Sequence, residues 1–391
     1  MKDNVYSVGV VDWNIRHFHE STYIIRQGTT YNAYLILDQK NVLIDTVHKC
    51  FENQFITNIT RIIDPHKIDV IIVNHIEPDH SSSLSRILAL CPNAVVYGSQ
   101  KAKLGCLKYN EIDSIKWNIV NSGQELNIGK RSLKFIETPM IHWPDSMVTY
   151  SKYDNILFSN DAFGQHYATN KIFDDEVCCS TLATEAQKYY ANILWPFNSL
   201  IIKKLNILKD LKIQMIAPSH GVVWRKNTLK IIQQYITWAS DKLKDKVAII
   251  YESMWHSTAK MAKQFLEGIT VEGIEAHLFD VTKTDKTDIL AYMLDSKYWL
   301  IGSSTKNKQM LPIISSILEY IECINSTARF SLAFGSYGWS GESIKRIENI
   351  LANNTIKLQS AYSVVFNPTV NELKECFHIG KKLAIHMKRK K

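Results

Sequence analysis

The sequence predicts two α/β domains in tandem: a layered domain of mixed strands, then a doubly wound parallel sheet of five strands. Three observations predict this. The chain has 391 residues, and one compact core rarely grows beyond about 250–300 residues, so two cores are expected. Strand-like and helix-like runs alternate along its whole length. The alternation is irregular before about residue 245 and regular after it, and strands alternating with helices build parallel sheets.

In the first part, apolar runs at 32–37 and 42–44 flank a turn at 38–41. Further strand-like runs follow at 70–73, 94–97, 133–136, 147–150 and 156–158. Helical stretches at 178–194, 200–211 and 228–241 close this part. Mixed strands with helices outside them make a layered α/β domain. The polar stretch 240–246 is the expected boundary, dividing 1–245 from 246–391. The second part has strands at 247–251, 276–280, 298–301, 330–334 and 362–366. Helices are expected at 258–268, 311–323, 342–351 and from 370 to about 386. This regular order is that of a doubly wound parallel sheet.

Hydrophobic residues make up 46% of the chain and charged residues 21%, which is globular rather than disordered composition. No apolar run reaches the roughly 18 residues of a membrane helix, and the start carries no basic-then-apolar leader. Seven cysteines, an odd number with no C-x-x-C pair, argue against a disulfide framework, and so for a reducing cytoplasm. They also argue against a fused cysteine-ligated iron or zinc module. The net charge of +8 draws partly on Lys381, Lys382, Lys388, Arg389, Lys390 and Lys391. Basic residues complement a helix C-terminus, so this is expected as a solvated helix end. No aromatic-interleaved basic stripe points to nucleic acid, and no membrane contact is expected.

The strongest chemical signal follows the run Val70–Val73. His75, Glu77, Asp79 and His80 form H-x-E-x-D-H in six residues, too dense a set of ligands for a solvated loop. Loops beyond the C-terminal ends of strands are where side chains converge on an ion, and Pro78 stiffens this one. His142, Asp161 and His220 sit in other loops. Each alone would be an ordinary capped turn or satisfied histidine. Together with the first motif they read as one metal site.

A second constellation lies in the other part. The first strand there runs into Ser253, Met254, Trp255, His256, Ser257 and Thr258 before a helix. Hydroxyls and N–H groups at a helix N-terminus hold a phosphate. The glycines of a dinucleotide or P-loop pattern are missing, so a single phosphate, as in FMN, suits the loop. The third strand ends near Ser303, Ser304, Thr305 and Asn307, the fourth near Ser336, Tyr337, Gly338, Trp339, Ser340 and Gly341. In a doubly wound sheet these loops lie at one edge, where Trp339 or Tyr337 could stack on a flat ring.

The metal residues resemble the metallo-β-lactamase superfamily, whose usual first motif is H-x-H-x-D-H; here Glu77 replaces the second histidine. Three carboxylates among seven ligands favour a redox-active iron pair over zinc, with Asp161 as the bridge. An αββα metallo-β-lactamase-like sandwich followed by a flavodoxin-like domain closely resembles the flavodiiron proteins over essentially the whole chain. Asp12-Trp13 and the stretch 28–34 fit as well, while Ser304 stands where that family usually has proline. The resemblance implies two non-haem irons: one on His75, Glu77 and His142, the other on Asp79 and His220, bridged by Asp161, with His80 not always a ligand. It implies FMN, four-electron reduction of O₂ to water or two-electron reduction of NO to N₂O, and O₂ first on the family's base rate. It also implies a head-to-tail homodimer or a dimer of dimers, fed by a separate rubredoxin-like protein or flavin reductase. His17, His19, Tyr23, Trp143 and His166 are candidates for tuning the choice of gas. Two rivals are a zinc hydrolase with a flavin domain and an electron-transfer flavoprotein with a structural metal site.

Overall fold

Short strands buried on both faces build two facing sheets in the first unit. The computed structural model describes residues 1–18, 23–109, 115–324, 326–354 and 356–389. The chain divides into two compact units, Met1–Ile236 and Thr237–Lys391. The first sheet runs in the order Val5–Ser7, Tyr34–Ile36, Asn41–Ile44, Ile68–Val73, Val95–Gly98 and Trp117–Ile119. Its last four strands are mutually parallel and its first two pairings antiparallel. Successive side chains point to opposite faces. Val42, Ile44, Val70 and Ile72 therefore enter one core while Leu43, Ile71 and Val73 enter another.

The core that holds Val70 and Ile72 also holds Leu133, Phe135, Met147, Ile156 and Phe158 from a second sheet. That sheet is an antiparallel meander of Glu125–Asn127, Ser132–Glu137, Met147–Ser151 and Ile156–Asn160. Met215–Pro218 then pairs parallel to its last strand. Phe55 and Ile59 of helix Glu52–Thr60, with Ala102 and Cys106 of helix Gln100–Tyr109, cover the outer face of the first sheet. The architecture is an αββα sandwich.

In the second unit all strand pairings are parallel. The order is Glu275–Asp280, Lys244–Glu252, Ser296–Ser303, Phe330–Tyr337, and then a divided fifth strand, Lys357–Leu358 and Tyr362–Val365. Sequence places Lys244–Lys246 in a linker, but they start the first strand. The alternating charges pair across the sheet: Lys244 Nζ lies 2.8 Å from Asp295 Oδ2, and buried Lys246 meets the same carboxylate. Helix Lys286–Met293, unmarked in the sequence reading, is capped by Asp285, whose carboxylate accepts from Thr287 N at 2.8 Å. Helices Ser257–Thr270 and Val370–Arg389 pack so closely that a Cβ on Gly268 would lie 2.1 Å from Phe377 O. The last helix runs three residues past the expected end, and Lys388 pairs with Glu272 at 3.3 Å; Lys390 and Lys391 lie outside the described residues.

The cysteines Cys50, Cys91, Cys106, Cys178, Cys179, Cys323 and Cys376 are all free. Among the described residues no helix is long and apolar enough to cross a membrane.

Candidate functional site

The strand Ile68–Val73 ends in Asn74, which is wedged into a buried polar network. Asn74 N and Nδ2 donate to the Asp45 carboxylate at 2.7 and 3.0 Å, and Thr149 Oγ1 donates to Asn74 Oδ1 at 2.8 Å. This fixes where His75 leaves the sheet. The one-turn helix Pro78–Ser81 then presents Asp79 and His80, with Glu77 at its N-cap. Asp161 follows a register irregularity at the end of Ile156–Asn160, where Asn160 is left-handed with φ 56°. Such breaks re-aim a side chain. His220 is anchored by a tight turn: Gly221 has φ +79°, and Gly221 N donates to Thr30 Oγ1 at 2.6 Å.

These loops bring all seven sequence-predicted metal residues together. His75, Glu77, His142 and Asp161 form one group; Asp79, His80 and His220 form a second. His75 Nε2 lies 3.2 Å from Glu77 Oε2, and His142 Nε2 lies 3.3 Å from that same oxygen. Across the site His220 Nε2 and His80 Nε2 lie 3.1 and 3.2 Å from Asp79 Oδ2. Asp161 divides its oxygens between the groups. Oδ2 is 3.2 Å from His142 Nε2, while Oδ1 is 3.2 Å from His80 Nε2 and 3.5 Å from His220 Nε2. Two donors sharing a metal at about 2.0–2.2 Å sit about 3.0–3.5 Å apart, so the spacings match the edges of coordination polyhedra. His80, left open by the motif, stands inside the second group.

The surroundings orient the imidazoles. His75 Nδ1 is 3.0 Å from Asp145 Oδ2 and His220 Nδ1 is 2.7 Å from Thr30 O. Both oxygens can only accept, so Nδ1 carries the hydrogen and the Nε2 lone pair faces the group, as metal-binding histidines require. Both oxygens of buried Asp79 lack a hydrogen-bond donor, a costly state for a carboxylate unless a cation meets it. Burial works against charge on His75 and His80. The carboxylates of Asp145, Glu77 and Asp161 nevertheless raise His75 well above the usual imidazole range, and Asp79 and Asp161 push His80 to about 9. Burial also opposes the Asp161 charge, yet His80 and His142 hold its carboxyl well below the usual carboxylate range. The pocket is built for cations, and protons compete with metal for its Nε2 atoms. The donor set, the split carboxylate and an Asp79 that accepts no hydrogen bond fit a pair of irons.

Of the candidate tuning residues, Trp143 places its ring 5.2 Å from that of His75, and His166 lies 4.9 Å from His220. His166 Nδ1 bonds Thr29 Oγ1 at 2.8 Å, and Tyr23 stands edge-on to His166 at 5.1 Å. His17 is exposed on the strand His17–Phe18, and His19 lies outside the described residues. Asp145, Phe18 and Tyr189 were not singled out from sequence. Phe18 lies 5.5 Å from His220 and Tyr189 6.0 Å from it. Burial, and then the charge of Asp161, raise the Tyr189 phenol well above its usual value and keep it neutral.

In the second unit a cavity of about 450 Å³ opens at the C-terminal edge of the sheet. Met254, Trp255, Ser257, Ser304, Thr305, Ser336, Tyr337, Gly338 and Trp339 line it, so all three expected loops contribute. Phe366 and Asn367, after the last strand, complete the lining and carried no motif. Trp255 is 83% exposed, Trp339 93% and Phe366 68%, an exposure that suits aromatic rings meant to stack on a flat ligand. The buried Ser253 Oγ has no hydrogen-bond partner beside the N-terminus of helix Ser257–Thr270, which fits a phosphate.

Ser253 itself and six other predicted flavin residues do not line the cavity. Thr258 Oγ1 is spent on Ser304 Oγ at 3.1 Å, and Ser303 Oγ accepts from Leu311 N at 2.8 Å. Ser340 Oγ donates to Glu342 at 2.6 Å, and Asn307 is exposed in a turn. His256 and Gly341 serve as helix N-caps, His256 with φ 64°. A turn points only part of its side chains into a cavity.

The model of the ODP family beta lactamases matches residues 29–221, and the flavodoxin model matches residues 249–380. A nitric oxide reductase of Moorella thermoacetica is 44% identical over 98% of this chain and 97% of its own length. The rubredoxin oxygen:oxidoreductase of Desulfovibrio gigas superposes with a TM-score of 0.96 at 33% identity, covering 100% of this chain and 98% of that one. The flavodiiron protein of Giardia intestinalis superposes at 0.93 and 33%, covering 100% and 97%.

Proposed function

This chain belongs to the flavodiiron proteins, oxidoreductases that carry FMN and a diiron site, and from that premise we propose that it reduces NO to N₂O and O₂ to water. The observation that carries the reading is Asp161, whose two oxygens face two separate sets of buried ligands. A zinc hydrolase would have no use for the carboxylate of Glu77 or for a flavin cavity. NO takes first place over the O₂ expected from sequence, because the 44% identical relative is named a nitric oxide reductase.

The balance is O₂ + 4e⁻ + 4H⁺ → 2H₂O, or 2NO + 2e⁻ + 2H⁺ → N₂O + H₂O. When bound, the two irons and the FMN together supply four electrons. The protein supplies the rest. Asp145 and Thr30 keep the imidazoles of His75 and His220 aimed at the centre. Trp143, Phe18, His166 and Tyr189 wall the site with rings, which restricts water and favours small uncharged gases. Ser253, Ser257 and the helix N-terminus would hold the flavin phosphate, and Trp255 and Trp339 would flank the ring system. Electrons reach FMN from a separate donor, a rubredoxin-like protein or flavin reductase. In a head-to-tail homodimer the flavin cavity of one protomer would face the metal-binding residues of its partner, so the redox chemistry of the two groups would be shared between chains. The seven free thiols suit a reducing cytoplasm.

Anaerobic stopped-flow mixing of the reduced, iron-loaded protein with NO and with O₂ tests this. The expected result is faster flavin and iron oxidation by NO. Oxidation by neither gas at a rate above free flavin overturns the reading.

A further inference from the structure

A small cavity, about 30 Å³, lies on the outer face of the second sheet, apart from the metal ligands and the flavin cavity. Val148 and Leu157 form its floor, and Ile201 and Leu205 of helix Asn198–Leu208 form its roof. Two further wall residues tie it to the metal centre. Ile141 directly precedes His142, and Ala162 directly follows Asp161. The loops that deliver one terminal ligand and the bridging carboxylate are thus part of its wall.

The lining is apolar apart from Thr138, Lys204 and Tyr235. Two of these polar groups are engaged elsewhere: the Tyr235 hydroxyl accepts from Phe163 N at 2.7 Å, and Lys204 Nζ donates to Glu137 O at 2.6 Å. The space exceeds the roughly 10–15 Å³ that holds one water, while a water there would lack its 2–4 polar partners. Apolar cavities of this kind take up xenon and small apolar guests instead. O₂ and NO are such guests: diatomic, uncharged and weak hydrogen-bond formers.

We infer that this cavity is a docking site for the gaseous substrate, next to the loops that hold the metals. The inference rests on the gas-reductase reading above. Dissolved gas is dilute in water, and an apolar chamber walled by Ile141 and Ala162 would concentrate it one residue away from two of the ligands.

The experiment uses the iron- and FMN-loaded protein. Crystals pressurised with xenon are expected to show a xenon peak in this cavity. Leu205→Phe fills the space from the roof and is expected to abolish the peak. It should raise the KM for NO or O₂ several-fold while kcat, iron content and flavin content stay unchanged. Val148→Ile is a milder filling variant should Leu205→Phe not fold, and Leu205→Ala is expected to increase xenon occupancy. No xenon in the wild-type cavity overturns the inference, as does an unchanged KM in a filling variant that has lost its xenon. The two readings fail separately. Turnover without xenon removes the docking site, whereas xenon without turnover of either gas removes the reductase reading.

Discussion

Asp145 is the sharpest place to test how the surroundings of the metal site set its strength. One carboxylate oxygen, Oδ2, accepts from His75 Nδ1 at 3.0 Å and from Ile76 N at 2.9 Å, while Oδ1 has no partner; the residue is 1% exposed. Asp145→Asn can place its amide oxygen where Oδ2 stands and keep both bonds, but it loses the charge. Hydrogen bonds to a charged group are worth about 1.5–3 kcal/mol and neutral ones about 0.5–1.5, so the change costs about 1–1.5 kcal/mol. That is about tenfold in affinity for the metal on His75, Glu77 and His142. Asp145→Ala strands two buried N–H groups at about 1–3 kcal/mol each, so about a hundredfold or more is expected, part of it paid in fold stability. The metal on Asp79, His80 and His220 is held through other contacts and should weaken little. Chelator competition on the purified variants, read as iron per chain with Mössbauer spectra to separate the two ions, measures this. Equal weakening of both ions, or wild-type affinity in Asp145→Ala, refutes the reasoning.

Three other outcomes are expected. Ser257→Glu puts a carboxylate where a phosphate dianion must sit, a like-charge clash of several kcal/mol; the variant should be colourless yet keep its iron, and full flavin occupancy would count against the phosphate site. Glu77→His restores the zinc-type motif and removes an anionic donor, so metal competition should shift toward zinc, and an unchanged iron-to-zinc ratio would sink the explanation for Glu77. Mixing a His75→Ala chain with a Ser257→Glu chain should restore gas reduction in verified mixed dimers through one good metal site facing one good flavin; no recovery would mean electron transfer within a chain.

What the sequence made legible follows from distance along the chain. His75, Glu77, Asp79 and His80 lie within six residues at the end of an apolar strand, so their convergence needs only local geometry. The parallel sheet was nearly as plain, since 247–251, 298–301 and 330–334 are short apolar runs each followed by a helix. The helix Lys286–Met293 escaped because its hydrophobic face is weakly marked, and its best signal is the Asp285 cap. The groups that tune the site were hidden for a different reason. Asp145 meets His75 across 70 residues, Thr29 meets His166 across 137, and Thr30 meets His220 across 190. Tyr189 ends the helix Cys179–Tyr189, where the chain passes into a π-helical turn, Tyr190–Leu194. No local pattern requires any of these pairings, because each exists only once the two sheets face each other. Ligand identity is thus written in short motifs, whereas the orientation of each imidazole and the rings around the metals are written in the sandwich itself. The choice between NO and O₂ is expected to follow that second set, since Trp143, Phe18, Tyr189 and His166 place their rings around the ligand histidines. Relatives that share all seven motif residues can therefore differ in the gas they prefer, and substitutions at these ring positions are where that preference is expected to move.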